Sequence, residues 1–517
     1  MTPHIKPLPG SRSLISAAAM AALIGLAGCS LTPKYERPEA PVTPTWPANA
    51  QVNEPASAVP AADLPWQQFV QDKDLRELID LGLTSNRDLR VAIANIEQAR
   101  AAYRIRRADQ FPALGLSASG SRSAPNAYEV LGAGSVASQY TVEIGVSAWE
   151  LDFFGRVAAL KDAALASYLA TEEARKSTQI ALVAAISNAW LQLKTDTALQ
   201  ALAERTLVTR EQSLALTKLR FDNGTSSALD MRQAESLTAN ARATRAQQVR
   251  LHAQDINLLT LLVGQPLPER VIPLVPPTPK ADMQRNLAQP APSVAPPAPL
   301  PGFAALPAGL PSDLLLRRPD IRAAEQQLIS ANANIGAARA NFFPRITLTA
   351  GLGRVSGDLD GLFGSGGQRA WSFGPSLTLP IFDWDRNQST LDSAQAARDI
   401  AVAQYEQAIQ TAFREVADAL AGRATLGEQL AALQDQVAAE QDRYRLADLR
   451  YRNGVANYLD LLDAERSLFA VEQTLAQVRL AQRANEVELY KALGGGWTEP
   501  PASKAVAASP NPPTVRQ

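Results

Sequence analysis

Four short stretches of the chain alternate apolar and polar residues with a period of two. Leu114, Leu116 and Ala118 interleave Gly115, Ser117 and Ser119, while Tyr140, Val142, Ile144, Val146 and Ala148 interleave Thr141, Glu143, Gly145 and Ser147. Ile346, Leu348, Ala350 and Leu352 interleave Thr347, Thr349, Gly351 and Gly353, and Trp371, Phe373, Leu377, Leu379 and Ile381 interleave Ser372, Gly374, Ser376 and Thr378. This period predicts strands with one apolar and one polar face, near residues 113–121, 140–149, 345–353 and 371–381. Such segments have roughly the 9 to 11 residues with which a tilted strand crosses a bilayer. A very long helical tract follows each pair, stops at Asn-Gly and resumes as a second helix, which predicts helical hairpins over 156–263 and 386–493. At 1.5 Å per residue, a straight helix of about 65 residues reaches on the order of 100 Å, more than any globular domain needs.

The halves are copies. Leu219-Arg220-Phe221-Asp222-Asn223-Gly224, followed by Leu229-Asp230 and Ala234-Glu235, returns about 230 residues later as Leu449-Arg450-Tyr451-Arg452-Asn453-Gly454 with Leu459-Asp460 and Ala464-Glu465. Arg107-Ala108-Asp109-Gln110-Phe111-Pro112 likewise returns as Arg339-Ala340-Asn341-Phe342-Phe343-Pro344. Residues 66–264 and 313–497 are thus two repeats. Between them, residues 265–312 form a linker, and 14 of the 36 prolines fall between Pro266 and Pro311, a composition that cannot continue a helix. Residues 498–517 read as a disordered tail.

The N-terminus is an address. His4, Lys6 and Arg12 precede an apolar stretch from Leu14 to Ala27, too short to span a bilayer and suited to a signal peptide over residues 1–28. Leu26-Ala27-Gly28-Cys29 resembles a bacterial lipobox, so residues 29–65 read as an extended segment lipidated at Cys29. Ser30 in the next position is what lipoproteins sorted to the outer membrane usually carry. No later segment approaches 18 consecutive apolar residues, so any membrane crossing is made without transmembrane helices.

Composition excludes several chemistries. With 50 Lys+Arg against 51 Asp+Glu, the net charge of −1 gives no field to collect nucleic acid. The chain has two histidines and one cysteine, and only His252 lies beyond the N-terminal segment, so neither a metal site nor a Cys nucleophile is expected. No G-x-S-x-G elbow occurs. The chain is not read as an enzyme, and no cofactor is expected beyond a covalent lipid on Cys29.

Four strands cannot close a barrel, and an open sheet edge is too costly in hydrocarbon. Several copies must therefore combine: two would give eight strands, and three would give twelve with room for a lumen. The long hairpins would prolong such a barrel as a helical tube.

At this point the chain resembles the outer-membrane factors of tripartite efflux systems, the TolC and OprM group, and most closely their NodT-type lipoprotein branch. The resemblance covers Cys29 to about Trp497. It is carried by Trp149-Glu150-Leu151-Asp152-Phe153-Phe154-Gly155-Arg156, Leu316-Arg317-Arg318-Pro319-Asp320-Ile321, Pro380-Ile381-Phe382-Asp383, Tyr458-Leu459-Asp460-Leu461-Leu462-Asp463 and Tyr490-Lys491-Ala492-Leu493-Gly494-Gly495-Gly496-Trp497. It implies a mainly α chain with a transmembrane β-barrel: a homotrimer whose twelve-stranded barrel in outer-membrane lipid continues as a twelve-helix periplasmic α-barrel. The implied function is the passive exit duct of a tripartite efflux pump, most simply one exporting drugs or toxic compounds through an RND-type inner-membrane pump and a periplasmic adaptor. Type I secretion and metal efflux are alternatives within the class. A periplasmic coiled-coil adaptor or structural lipoprotein is the alternative outside it, and would leave the four strands unexplained.

The hairpin ends farthest from the strands are where such a tunnel can close. Asp230 and Asp460 each lie three residues after a candidate N-cap, Ser227 or Asn457, whereas Asp463 and Arg466 have Gln233 and Ser236 as repeat counterparts and are peculiar to the second hairpin. Leu459 and Asp463 stand one helical turn apart on one face. The resemblance assigns Leu459, Asp460 and Asp463 to a periplasmic gate. It assigns Asp230, Tyr451 and Arg466 to a latch between hairpins.

Overall fold

A computed structural model describes residues 30–43, 45–46, 63–124, 137–275, 300–306, 317–364 and 366–497. The signal segment, Cys29, most of the linker and the C-terminal tail lie outside the described residues. In order, the elements are α1 (Trp66–Phe69), α2 (Lys73–Ser85), α3 (Arg87–Ala108), β1 (Leu114–Ser123), β2 (Ala137–Leu151), α4 (Arg156–Asp222) and α5 (Ala228–Val263). There follow α6 (Pro319–Ala340), β3 (Arg345–Ser356), β4 (Gln368–Thr378), α7 (Arg386–Arg452) and α8 (Tyr458–Ala492). No helix among the described residues is long and apolar enough to cross a membrane. Two compact units divide the chain. The first comprises residues 1–40, 94–173 and 323–407, and the second residues 41–93, 174–322 and 408–517.

The first unit holds one antiparallel sheet in the order β1-β2-β3-β4. Its register aligns like with like. Leu116, Ile144, Leu352 and Trp371 form one row across all four strands, and Leu114, Val146, Ala350 and Phe373 the next. The opposite face carries Gly115, Gly145, Gly351 and Ser372 in one row. A β-bulge interrupts β2 between Val146 and Trp149, and Ala148 takes a positive φ of 50° while its N–H donates to Thr349 Oγ1. The bulge corrects the simple alternation: Trp149, opposite Leu348, continues the apolar face in place of Ala148. β4 ends at Thr378, three residues short of Ile381, because Pro380 has no N–H to donate to a ladder.

Where β2 gives way to α4, Glu150 binds Arg156 from the helix (2.6 and 2.8 Å) and Arg345 from β3 (2.6 Å). Asp152 accepts from the N–H of Ala158 and, in the second repeat, Asp383 accepts from that of Asn387, so each long helix begins on a carboxylate at its positive end. The N-terminal segment is laced antiparallel along α6. Tyr35 and Arg37 donate to Glu325 (3.0 Å, and 2.7 and 2.8 Å), Asn332 to the Pro33 carbonyl (2.8 Å) and Arg339 to the Leu31 carbonyl (3.4 Å). Leu31 thereby lies at the end of α6 that leads into β3.

In the second unit, Arg318 explains its Arg-Arg-Pro-Asp motif. Its buried guanidinium binds Asp320, Glu415 of α7 (2.8 Å) and the Ala492 carbonyl at the end of α8 (2.9 Å). Nearby, Phe69 stacks between Tyr490 (3.9 Å between ring centroids) and Phe303 (4.8 Å), which joins α1, the chain after the linker and the C-terminal end of α8.

Candidate functional site

Both hairpins turn the same way, for a local reason. After α4, Gly224 takes φ 71° and the N–H of Thr225 reaches back to the Arg220 carbonyl; after α7, Gly454 takes φ 73° and the N–H of Val455 reaches the Arg450 carbonyl. This helix stop needs a left-handed residue, which is glycine's province. The next helices then start on side-chain caps. Ser227 Oγ accepts from the Asp230 N–H (3.1 Å) and Asn457 Oδ1 from the Asp460 N–H (3.0 Å).

Here the repeats diverge. Asp230 Oδ2 also accepts from the Ser227 N–H (3.1 Å) and from the hydroxyls of Ser227 (2.8 Å) and Ser226 (3.1 Å), completing a capping box. Partial burial pushes its carboxyl up, but these bonds outweigh burial and hold it below the usual carboxylate range. The structure does not bring Asp230 and Tyr451 into a hydrogen-bonded latch among the described residues. Tyr451 instead lies under the Arg220 guanidinium, 4.3 Å from its ring centroid, and against Tyr458 at 5.5 Å. Arg220 also donates to the Tyr451 carbonyl (3.2 Å).

On α8 the first turns have two faces. Tyr458, Leu461, Leu462 and Glu465 are buried, Tyr458, Leu461 and Leu462 in a cluster with Tyr451 and Ala234. Leu459 is 58% exposed, and Asp460, Asp463 and Arg466 share the open side. Asp463 is paired with Arg443 of α7, which also binds Glu440 of its own helix (3.2 Å). Three candidate gate residues are thus presented together, on a face left exposed by the described residues.

Sequence reasoning missed what lies behind that face. Arg210 of α4 and Glu465 of α8 form an ion pair with only 6% and 4% of their side chains exposed, and Ser213 donates to the same carboxylate (3.3 Å). Glu465 was visible only as the repeat partner of Glu235; nothing local marks Arg210. Among the described residues no group of three or more His, Cys, Asp or Glu is placed to hold a metal ion.

The apolar rows of the sheet remain open, with Leu114, Leu116, Ile144, Leu352, Trp371 and Phe373 all exposed. In water this would be an aggregation surface; in hydrocarbon it is a lipid-facing belt. A belted sheet joined in tandem repeat to two long helical hairpins defines an outer-membrane channel with a periplasmic helical tunnel. The chain belongs to the outer membrane efflux protein family, whose model matches residues 78–265 and 310–495. It is 48% identical over 491 residues to the probable efflux pump outer membrane protein TtgC of Pseudomonas putida, covering 95% of this chain and 96% of that one. It is 44% identical over 495 residues to the outer membrane protein OprJ of Pseudomonas aeruginosa, covering 96% and 97%. Among solved structures, the open state of the Neisseria gonorrhoeae MtrE outer membrane channel matches with a TM-score of 0.76 and 38% identity over 90% of this chain and 98% of that one. The outer-membrane channel OprN matches with a TM-score of 0.78 and 32% identity over 91% and 100%.

Proposed function

We propose that this protein is the exit duct of a tripartite pump, working as a homotrimer: twelve strands close a barrel in outer-membrane lipid, and twelve helices continue it as a periplasmic tunnel. The observation that carries the reading is a four-stranded sheet whose two edge strands, β1 and β4, have no further partner among the described residues while its apolar face is exposed. Unpaired strand edges are not tolerated in hydrocarbon, so closure by further copies is required. The duct catalyses nothing. Solutes loaded by an RND-type inner-membrane pump pass through a periplasmic adaptor into the tunnel, and the relatives' association with solvents and antibiotics points to cargo of that kind.

Leu459, Asp460 and Asp463, repeated threefold about the axis, form the periplasmic gate: a ring of leucines restricts passage and rings of carboxylates select cations. Exposed Arg466, together with Tyr451 and Asp230, latches neighbouring hairpins while the gate is shut. A lipid on Cys29 would anchor the same chain in the membrane, and the described chain that follows begins at the end of α6 that leads into β3. Deletion of the gene should lower the tolerated concentration of organic solvents and amphiphilic antibiotics, and the wild-type chain should restore it. Unchanged tolerance, with only monomers in unheated outer-membrane fractions, would overturn the reading.

A further inference from the structure

The sheet sorts its charges by face and by end. Six residues of the four strands carry a formal charge: Arg122, Glu143, Glu150, Arg345, Arg354 and Arg369. Glu150 and Arg345 pair at the end that joins the helices (2.6 Å). Glu143 shares a row with Ser117 and Gly353 on the glycine-rich face, and accepts from the Ser117 hydroxyl (3.4 Å). The other three are all arginines, and all lie on the apolar face toward the end away from the helices. Arg354 and Arg369 stand directly opposite one another in the row beyond Leu352 and Trp371, and Arg122 follows two rows further out on β1.

Like charges directly opposite on neighbouring strands repel, and nothing among the described residues neutralises these two. Arg354 Nη2 donates to the carbonyls of Gly364 (2.8 Å) and Gly367 (2.9 Å), which fixes its guanidinium at the rim of the sheet, but a carbonyl carries no net charge. Asp358 and Asp360, in the connection between β3 and β4, are exposed and form no ion pair with either arginine among the described residues. Arg354 lies eight residues beyond Ile346, about 27 Å of strand at about 3.4 Å per residue. At the tilt of roughly 40° usual for membrane barrels this is on the order of 20 Å of height, near the top of an apolar band about 25 Å tall. Trp371, 78% exposed just inside the arginine row, and Tyr140, whose ring covers Gly120 just beyond it, stand where interfacial aromatics stand.

We propose that Arg354 and Arg369 hold the phosphate groups of the outer leaflet's phosphorylated glycolipid, lipopolysaccharide, against the outside of the barrel, with Arg122 as a further contact. The inference rests on the reading of the sheet as part of a barrel: the helices are periplasmic, so the end away from them faces out of the cell, and the apolar face is turned to lipid. Charge complementarity selects the occupant. A guanidinium presents a planar pair of donors that fits a phosphate, and the acyl chains of the same lipid lie along Leu352, Trp371 and Phe373. A phosphate between the two arginines also removes their mutual repulsion, so the pair does at the protein surface what divalent cations do between neighbouring lipopolysaccharide molecules.

Lipid retention by the full-length protein tests this. Trimers extracted from outer membranes in mild detergent, with a chelator present to remove divalent bridges, should keep lipopolysaccharide through gel filtration and show it as bound mass in native mass spectrometry. Arg354→Gln with Arg369→Gln should lower the retained amount by roughly tenfold or more, and Arg354→Lys with Arg369→Lys should restore part of it. Arg250→Gln, on exposed α5 surface, should change nothing; an equal drop there would assign the loss to net charge and overturn the proposal. Equal retention by wild type and the double glutamine variant would overturn it as well. A measurement on the wild-type chain stands whether or not the variants assemble: in liposomes containing lipopolysaccharide, Arg369 should be protected from the arginine reagent phenylglyoxal, and in liposomes of phosphatidylglycerol it should react. Equal protection in both would mean a surface for any anionic headgroup and would sink the assignment to lipopolysaccharide. If unheated wild-type samples contain no trimers, the barrel reading itself falls.

Discussion

Asp255 of α5 lies beside Asp196 of α4, a buried carboxyl next to a second one, and it holds its proton well above the usual carboxylate range. Asp196 is buried and accepts from Gln192 (3.1 Å). Burial first, then the neighbouring Asp196 and its negative charge, push the Asp255 carboxyl up to about 7. The first hairpin is thereby sensitive to pH across the neutral range.

The sign follows from proton binding. Below the ordinary carboxylate range both folded and unfolded chains hold the proton, and the pair is at full strength. As pH rises toward 7 the unfolded chain releases its proton while the folded one retains it, so stability falls over that window and then levels off. Asp255→Asn keeps a neutral partner for Asp196. It should stabilise the hairpin by about 2 kcal/mol at pH 8, allowing for partial solvent screening, and by little at pH 4. Slower amide exchange in residues 190–200 and 250–260 of the variant at pH 8, but not at pH 4, is the expected result.

Tyr490 fills the joint between α1 and the C-terminal end of α8. Its hydroxyl donates to the Leu64 carbonyl (2.6 Å) and its ring covers Gly495, where a methyl group would overlap the aromatic carbons. Tyr490→Phe should cost about 1–2 kcal/mol for the orphaned carbonyl, and Tyr490→Ala about 3–5 kcal/mol for the lost ring. Gly495→Ala alone should destabilise, and combining it with Tyr490→Ala should cost less than the sum of the two. Thermal unfolding in detergent would read all four.

How much of this was legible beforehand depended on the range of the interaction. Asn223-Gly224 and Asn453-Gly454 declared the hairpin tips because a left-handed stop is decided by a few adjacent residues. The apolar rows of the sheet were legible because a period of two is local as well. The Ala148 bulge was not, since Ala148 is small and in phase with its neighbours, and only the pairing of Trp149 with Leu348 shows that the face has passed to the next residue. Arg210 with Glu465, and Arg37 with Glu325, join residues more than 250 apart. Each arginine alone looks like any solvated helix or coil charge. Asp230 illustrates the reverse case: its capping role was legible from Ser227, whereas no hydrogen bond joins it to Tyr451 among the described residues.

The sheet's two faces should respond oppositely to charge. Leu352 lies in the exposed apolar row, while Ser372 lies in the glycine-rich row behind it. Leu352→Lys places an ammonium in lipid, at a cost of about 2–4 kcal/mol per subunit near mid-membrane and less toward the interface. Ser372→Lys places the same charge where water is expected. Outer-membrane fractions should lose heat-modifiable trimers for Leu352→Lys and keep them for Ser372→Lys. Equal loss for both would mean that the polar row does not face a lumen.

Closure at the tips should depend on Leu459 and Asp463 in separable ways. Leu459→Ala removes bulk from an exposed position that makes no part of the buried cluster, so the fold should persist while the aperture widens and planar-bilayer conductance rises. Asp463 is different, because Arg443 of α7 shares its charge. Asp463→Ala should widen the aperture and also free Arg443, reducing the preference for cations over anions, whereas Arg443→Ala should leave the carboxylate bare and strengthen that preference. Reversal potentials in a salt gradient separate the two effects from size alone. An Asp463→Ala channel with wild-type selectivity and conductance would remove Asp463 from the gate.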